Sequence, residues 1–311
     1  MNSGVNLEVK HCRRNMHRRE LGLVLILMIL GSISLQAQTL YWDIDGKTAG
    51  AGGTAPADTW STTGGSNKNW TTSSGGTAST TWWSSGANAI FSAGTNATGS
   101  YTVTVSGTQN VSGITVQEGN PTLTGGTINF GDSSPDIRVA SGRSLTFDSN
   151  LTSSSNNLRI GSTFYTGTTV LANDLSLAGT VTLAGGTLRL GGGNYSFGSL
   201  NITGNSTIDF AGSTTLDLTN FSISAGVTLT IQNWAAMADH FYASNWTGAV
   251  YDTMGSAPMN RITFNGFSAA ETGWDSYNNE IRPNVPEPSA YGALLLVALT
   301  AFFAWRRLSL G

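Results

Sequence analysis

Few side chains in this sequence could carry out chemistry, and they are scattered. Of three histidines in 311 residues, His11 and His17 fall in a basic leader, which leaves His240 in Met237-Ala238-Asp239-His240-Phe241. A Ser-His-Asp or Cys-His site would have to use it. No nucleophile motif surrounds it, so the expected place for His240 is the surface of a terminal cap. One histidine without cysteines gives too few ligands for structural zinc. Carboxylates are the remaining candidates. Asp209 and Asp217 each occupy the polar slot between two apolar residues, in Ile208-Asp209-Phe210 and Leu216-Asp217-Leu218, so both are expected to face solvent on adjacent strands. A glycosidase pair also needs one carboxyl with a raised pKa in a cleft; solubilising charges that discourage edge pairing are the simpler expectation. Asp43-Ile44-Asp45-Gly46 resembles part of a calcium loop but lacks the third acidic position and the closing Glu. No catalytic, cofactor-binding or metal-binding residue is therefore assigned, and no cofactor is expected.

Aromatic residues raise a different chemistry. Trp42, Trp60, Trp70, Trp82 and Trp83 lie among Gly, Ser and Thr, the setting in which exposed rings stack on sugar faces. The alternative is that these rings cover the open end of a repeat structure, because large aromatics usually bury most of their area.

The elements that must position these groups follow from composition. Only 11% of residues are charged, and Gly (39) with 41 Thr, 36 Ser and 25 Asn makes up 141 of the 311. Such a chain is neither a coiled coil nor a helical bundle. With 15 basic and 18 acidic groups and a net charge of −3, it offers no footprint for nucleic acid. Between residues 101 and 231 apolar residues recur at period two, as in Tyr101-Thr102-Val103-Thr104-Val105, Val181-Thr182-Leu183 and Leu229-Thr230-Ile231. That is the period of strands, and glycine-containing turns separate them. Leu123-Thr124-Gly125-Gly126-Thr127-Ile128-Asn129-Phe130 aligns with Leu183-Ala184-Gly185-Gly186-Thr187-Leu188-Arg189-Leu190, which defines a degenerate repeat. The predicted fold is all-β, a parallel β-solenoid of short Gly/Thr-rich repeats in which each rung buries its apolar face on the next. An antiparallel sandwich or barrel is the alternative, although strong Asn-Gly or Asp-Gly hairpin signals are missing from these connections. Flat threonine arrays of the ice- or crystal-binding kind would need Thr-x-Thr at one fixed place in successive rungs. Thr102-Val103-Thr104 and Thr228-Leu229-Thr230 do not make such a series.

The two ends carry addressing signals. Lys10, Arg13, Arg14, Arg18 and Arg19 precede the apolar run Leu21 to Leu35 and a small residue, Ala37. This predicts a secretory signal peptide over residues 1–37, read by the Sec export machinery, with Met1 or Met16 as the start. The only cysteine, Cys12, lies in it, so disulfides contribute nothing to the exported part. Val285-Pro286-Glu287-Pro288-Ser289 precedes an apolar stretch, Ala290 to Trp305, and then Arg306-Arg307. Sixteen helical residues rise about 24 Å, a short span with its arginines on the cytoplasmic side. A simple C-terminal anchor would show the same pattern. The motif, short span and basic end together closely resemble the PEP-CTERM sorting signal of Gram-negative bacteria. That resemblance implies a temporary inner-membrane anchor, processing by an exosortase-type membrane protease, and release to the cell surface or extracellular matrix.

A second resemblance covers residues 40 to 231. Tyr41-Trp42-Asp43, Phe91-Ser92-Ala93-Gly94 and Tyr101 through Val116 look like the opening of proteins with autotransporter-associated β-strand repeats, although no outer-membrane barrel follows. The expected organisation is signal peptide (1–37), Gly/Ser/Thr/Trp-rich N-terminal cap (38–100), solenoid (101–231), C-terminal cap (232–284) and sorting signal (285–311). The expected function is that of a non-catalytic surface or matrix protein, structural or adhesin-like, with extracellular polysaccharide as a partner. The alternative is an extracellular polysaccharide lyase or hydrolase on a β-helix.

Overall fold

The computed structural model describes residues 37–62, 67–246 and 257–283. The chain divides into two units, residues 1–37 and 38–311, and the architecture that follows belongs to the second. Strands dominate, and the only helices among the described residues are single 3-10 turns at Met259–Arg261 and Ala269–Glu271.

Four strands precede the repeats: β1 (Thr39–Trp42), β2 (Asp58–Trp60), β3 (Trp70–Thr71) and β4 (Ala87–Phe91). The next group is β5 (Ser100–Val105), β6 (Thr108–Val116), β7 (Asn120–Phe130), β8 (Asp136–Val139), β9 (Ser144–Ser153), β10 (Leu158–Ile160), β11 (Thr168–Leu171) and β12 (Leu175–Leu183). It continues with β13 (Gly186–Leu190), β14 (Gly193–Ile202), β15 (Ser206–Phe210), β16 (Thr214–Ile223), β17 (Leu229–Gln232), β18 (His240–Trp246) and β19 (Ile262–Phe264). A final pair, β20 (Thr272–Asp275) and β21 (Glu280–Pro283), forms an antiparallel hairpin.

Pairing reveals the coil. From β4 with β6 to β17 with β19, each strand pairs with the one two places on. β1 and β2 join the same parallel ladders through β4 and β5. The chain is thus a parallel β-solenoid of about seven turns, and its ladders reach beyond the 101–231 segment in which the repeat is legible. Antiparallel pairing between named strands is confined to β1 with β3, β18 with β21, and β20 with β21. The sandwich alternative therefore fails.

Within a turn, long strands bend and serve two ladders. Asn120 to Thr124 of β7 stacks on β5, while Thr127 to Phe130 stacks on β6. The corner between them is Gly125-Gly126, both with positive φ. A Cβ on Gly126 would lie 2.4 Å from the Gly107 carbonyl oxygen of the previous turn, so only glycine lets the coils stack there.

Alternation then sorts side chains by face. In register, Val103 stacks on Leu123, then Phe147, Leu171, Leu190 and Phe210. All six are at most 2% exposed. A second inward column runs Ala89, Ile114, Ile137, Ile160, Leu183 and Ile202. At the corners, side-chain oxygens bridge turns that main-chain ladders leave unpaired. Asn120 accepts from the Ser144 N–H at 2.9 Å, Asn157 from Thr180 at 2.9 Å, Asp174 from Asn194 at 2.8 Å and Asn205 from Thr228 at 3.0 Å. Asp239 reaches back to the Thr214 N–H at 2.9 Å.

Close stacking at corners is testable at Gly198. Its added Cβ would meet the Ala178 carbonyl oxygen at 2.0 Å, backbone against backbone, whereas at Gly131 the nearest atom is 4.0 Å away. Gly198→Ala is expected to lower stability by roughly 1–3 kcal/mol in urea unfolding, the range for forced overpacking. Gly131→Ala should stay within about 0.5 kcal/mol of wild type.

Candidate functional site

The N-terminal cap is built by tryptophan. Trp42, Trp60, Trp70 and Trp83 are at most 2% exposed. Their rings pack with Phe91 into one cluster, with centroids 4.8 Å apart for Trp60 and Trp70, 4.8 Å for Trp60 and Trp83, and 4.6 Å for Trp70 and Trp83. Trp42 donates from Nε1 to the Pro56 carbonyl at 2.8 Å, and Trp83 to the Asn110 carbonyl at 3.1 Å. Four of the five rings offered as sugar-stacking platforms are therefore unavailable to a ligand. Among the described residues no strand stacks ahead of the first coil, and the tryptophans cover the apolar columns there. Trp82 alone is half-exposed, with the Lys68 ammonium 4.1 Å from its ring centroid.

The two aspartates do not meet. β15 and β16 follow one another around a corner, so Asp209 and Asp217 belong to different ladders. Strands adjacent in space are two apart in sequence, and this topology overturns the expected neighbouring pair. Nor do both face solvent freely. Asp209 is 8% exposed, accepts a 2.5 Å hydrogen bond from Asn233 and lies 3.6 Å from Arg189 Nε. Asp217 is exposed and stacks in register between Ser196 and Tyr242.

His240 has a partner that the sequence hides. Its Nδ1 lies 2.8 Å from Glu280 Oε1, and its ring stacks parallel to Tyr242 at 5.3 Å. Glu280 is held opposite Tyr242 by the antiparallel pairing of β21 with β18. Burial, then the charges of Glu280 and Asp217, push the Tyr242 hydroxyl above the ordinary phenol range. The forty residues between His240 and Glu280 carry no spacing that would announce the pair.

In the Asp43 turn, Oδ1 accepts from the Asp45 N–H at 3.1 Å and the Gly46 N–H at 3.0 Å. The side chain is fully buried, and Oδ2 has no hydrogen-bond partner among the described residues. Burial raises the Asp43 carboxyl to about 6, and the nearby Asp45 carboxyl adds to the rise.

Outward columns form the largest polar feature. Ser100, Asn120, Ser144, Thr168, Thr187, Thr207, Thr230 and Thr263 follow one another in register. Beside them Thr102 and Thr104 stack on Thr122 and Thr124, and these on Thr146 and Asp148. Thr-x-Thr thus recurs at one place in two successive turns and becomes Thr-x-Asp in the third. Periodicity missed Thr122-Leu123-Thr124 because its in-register partner cannot be located until the turn length is known. A second set of amides links Asn110 to Asn129 at 2.8 Å and Asn129 to Thr152 at 3.0 Å.

Val285, Pro286, Glu287, Pro288, Ser289, Arg306 and Arg307 lie outside the described residues, as does the apolar leader. Among the described residues no helix is long and apolar enough to cross a membrane.

The chain matches no family model, no curated protein and no solved structure.

Two outcomes test the cap. Trp70→Ala should cost roughly 3–5 kcal/mol in denaturant unfolding, as for other buried aromatic truncations, and Trp82→Ala much less. Because Asp43 holds its proton more tightly folded than unfolded, its protonation stabilises the protein fully below the unfolded value of 3.8, and this is lost as pH rises through about 6. In divalent-free buffer the melting temperature of wild type relative to Asp43→Asn is expected to fall between pH 4 and pH 7. A difference that is flat over that range would show that Asp43 does not titrate there.

Proposed function

We propose that this chain is an exported, non-catalytic protein of the cell surface or extracellular matrix, structural or adhesin-like, sorted through a PEP-CTERM tail that an exosortase processes. One observation carries the reading. Successive turns repeat neutral hydroxyl and amide side chains in register on the outer face, from Ser100 to Thr263, while Asp209 and Asp217 sit on separate ladders. Such a surface presents the same hydrogen-bonding groups at steps of about 4.8 Å along the coil, which suits a repetitive, uncharged partner such as polysaccharide. A spacer needs no more chemistry than that. Export through Sec and an inner-membrane intermediate follow from the leader and from the tail residues Val285 to Ser289 with Arg306 and Arg307.

A second reading, a polysaccharide-acting enzyme, draws on the His240–Glu280 pair beside Tyr242 and Asp217. Glycan cleavage abolished by His240→Ala would establish it and sink the first.

The sorting reading is tested by intact mass in a host that carries an exosortase. The surface form should lack everything after the Pro286-Glu287-Pro288 region. Replacing Glu287 with Ala, or Arg306 and Arg307 with Ser, should leave an unprocessed form. Recovery of wild type with Trp305 and both arginines attached would show an ordinary anchor.

A further inference from the structure

We propose that the Asp43–Asp45 turn at the N-terminal end of the solenoid is a calcium site, in which the inner carboxylate of Asp43 and the exposed carboxylate of Asp45 hold the ion between them.

The observation that points to a ligand is the orphaned oxygen. Oδ1 of Asp43 is satisfied by the N–H groups of Asp45 and Gly46, but Oδ2 is sealed from water and has no hydrogen-bond partner among the described residues. A carboxylate oxygen left so is among the more expensive features a fold can carry. Either a proton or a cation must answer for it. The Asp45 N–H donates to Asp43 Oδ1 at 3.1 Å, so a second, exposed carboxylate stands on the same tight turn.

The ligand set selects the ion. Both donors are hard carboxylate oxygens, and no sulfur or imidazole is near in sequence. Among the described residues no three His, Cys, Asp or Glu converge on a metal position. The remaining ligands must come from main-chain carbonyls of the glycine-containing turn, whose positive-φ Gly46 follows Asp45, and from water on the exposed Asp45 side. Calcium accepts such an irregular shell of six to eight oxygens, whereas magnesium demands a near-octahedral one. Two carboxylates place the affinity in the weak range of extracellular modules, near millimolar.

Its consequence is structural. Asp43 follows Trp42 directly, and its N–H donates to the Asn69 carbonyl at 3.0 Å, while Ile44 donates to Ala51 at 3.2 Å. An ion there ties the turn to the tryptophan cluster that closes the coil. This inference stands apart from the sorting and adhesin reading, since neither the tail nor the outer face contributes to it.

The test is thermal unfolding of the full chain at pH 7.5 after EDTA treatment, titrated with calcium chloride to several times about 1 mM. The melting temperature of wild type should rise by roughly 3 °C or more, and Asp45→Asn should lose that response while melting, without ion, no lower than ion-free wild type. Asp43→Asn should melt higher than ion-free wild type and not respond. Asp45 is exposed, so its variant decides the matter even where Asp43→Asn folds poorly. An unchanged wild-type melting temperature, a full response in Asp45→Asn, or an equal response to magnesium chloride would overturn the assignment.

Discussion

Every coil of this protein depends on having another coil to lie on. A single turn exposes its backbone edges and buries almost nothing by itself. Once stacked, its N–H and C=O groups enter parallel ladders and its inward leucines, isoleucines and phenylalanines touch their counterparts above and below. Cysteine is absent after Cys12, and with few charges in the chain, stacking is the source of stability. It also explains the composition. Threonine and valine suit the ladders, small residues suit the corners, and glycine is obligatory where one turn's backbone meets the next.

Local structure was therefore readable, and long-range structure only in kind. Period-two alternation identifies strands such as Leu188-Arg189-Leu190 because burying one face of a strand demands it. The same alternation says nothing about which strand lies next to which. Between β4 and β18 turn length ranges from 19 residues between Leu171 and Leu190 to 25 between Ala89 and Ile114, and the β17–β19 step from Leu229 to Ile262 takes 33. Loops of different size absorb the difference at the corners, as Gly161 to Gly167 does before β11. A repeat that varies by this much keeps its register in space but blurs it in sequence. That is why Asp209 and Asp217, eight residues apart, are expected side by side but part at a corner, and why Thr122 and Thr124 fall unnoticed beneath Thr102 and Thr104.

The tryptophans illustrate a different limit. Composition reports that Trp42, Trp60, Trp70, Trp82 and Trp83 are surrounded by small polar residues, which is compatible with an exposed sugar-binding face or a covered end. Which holds depends on where the first coil stops. Because β1, β2 and β4 already belong to the ladders, the rings close an end that would otherwise lie bare, and only Trp82 keeps a half-exposed position beside Lys68.

Irregular chemistry in this protein gathers where the translation from coil to coil breaks down. In the middle turns polar groups meet polar groups of the neighbouring turn, as Asn129 does between Asn110 and Thr152. At the ends no such neighbour is found among the described residues. Of the buried side-chain atoms without a hydrogen-bond partner among the described residues, those of Asp43, Trp60, Trp70, Ser92, Tyr101 and Gln109 belong to the first coils, that of Thr272 to the terminal hairpin and that of Ser149 to a middle turn. At the other end, β18 receives an antiparallel partner from the β20–β21 hairpin, and this brings Glu280 onto His240. The unsatisfied buried groups of this solenoid thus gather toward its first coils, while ion pairs such as Arg143–Glu118 and Arg189–Asp209 lie along the turns between its two caps. The ladders between them repeat a hydroxyl and amide pattern whose value lies in its regularity.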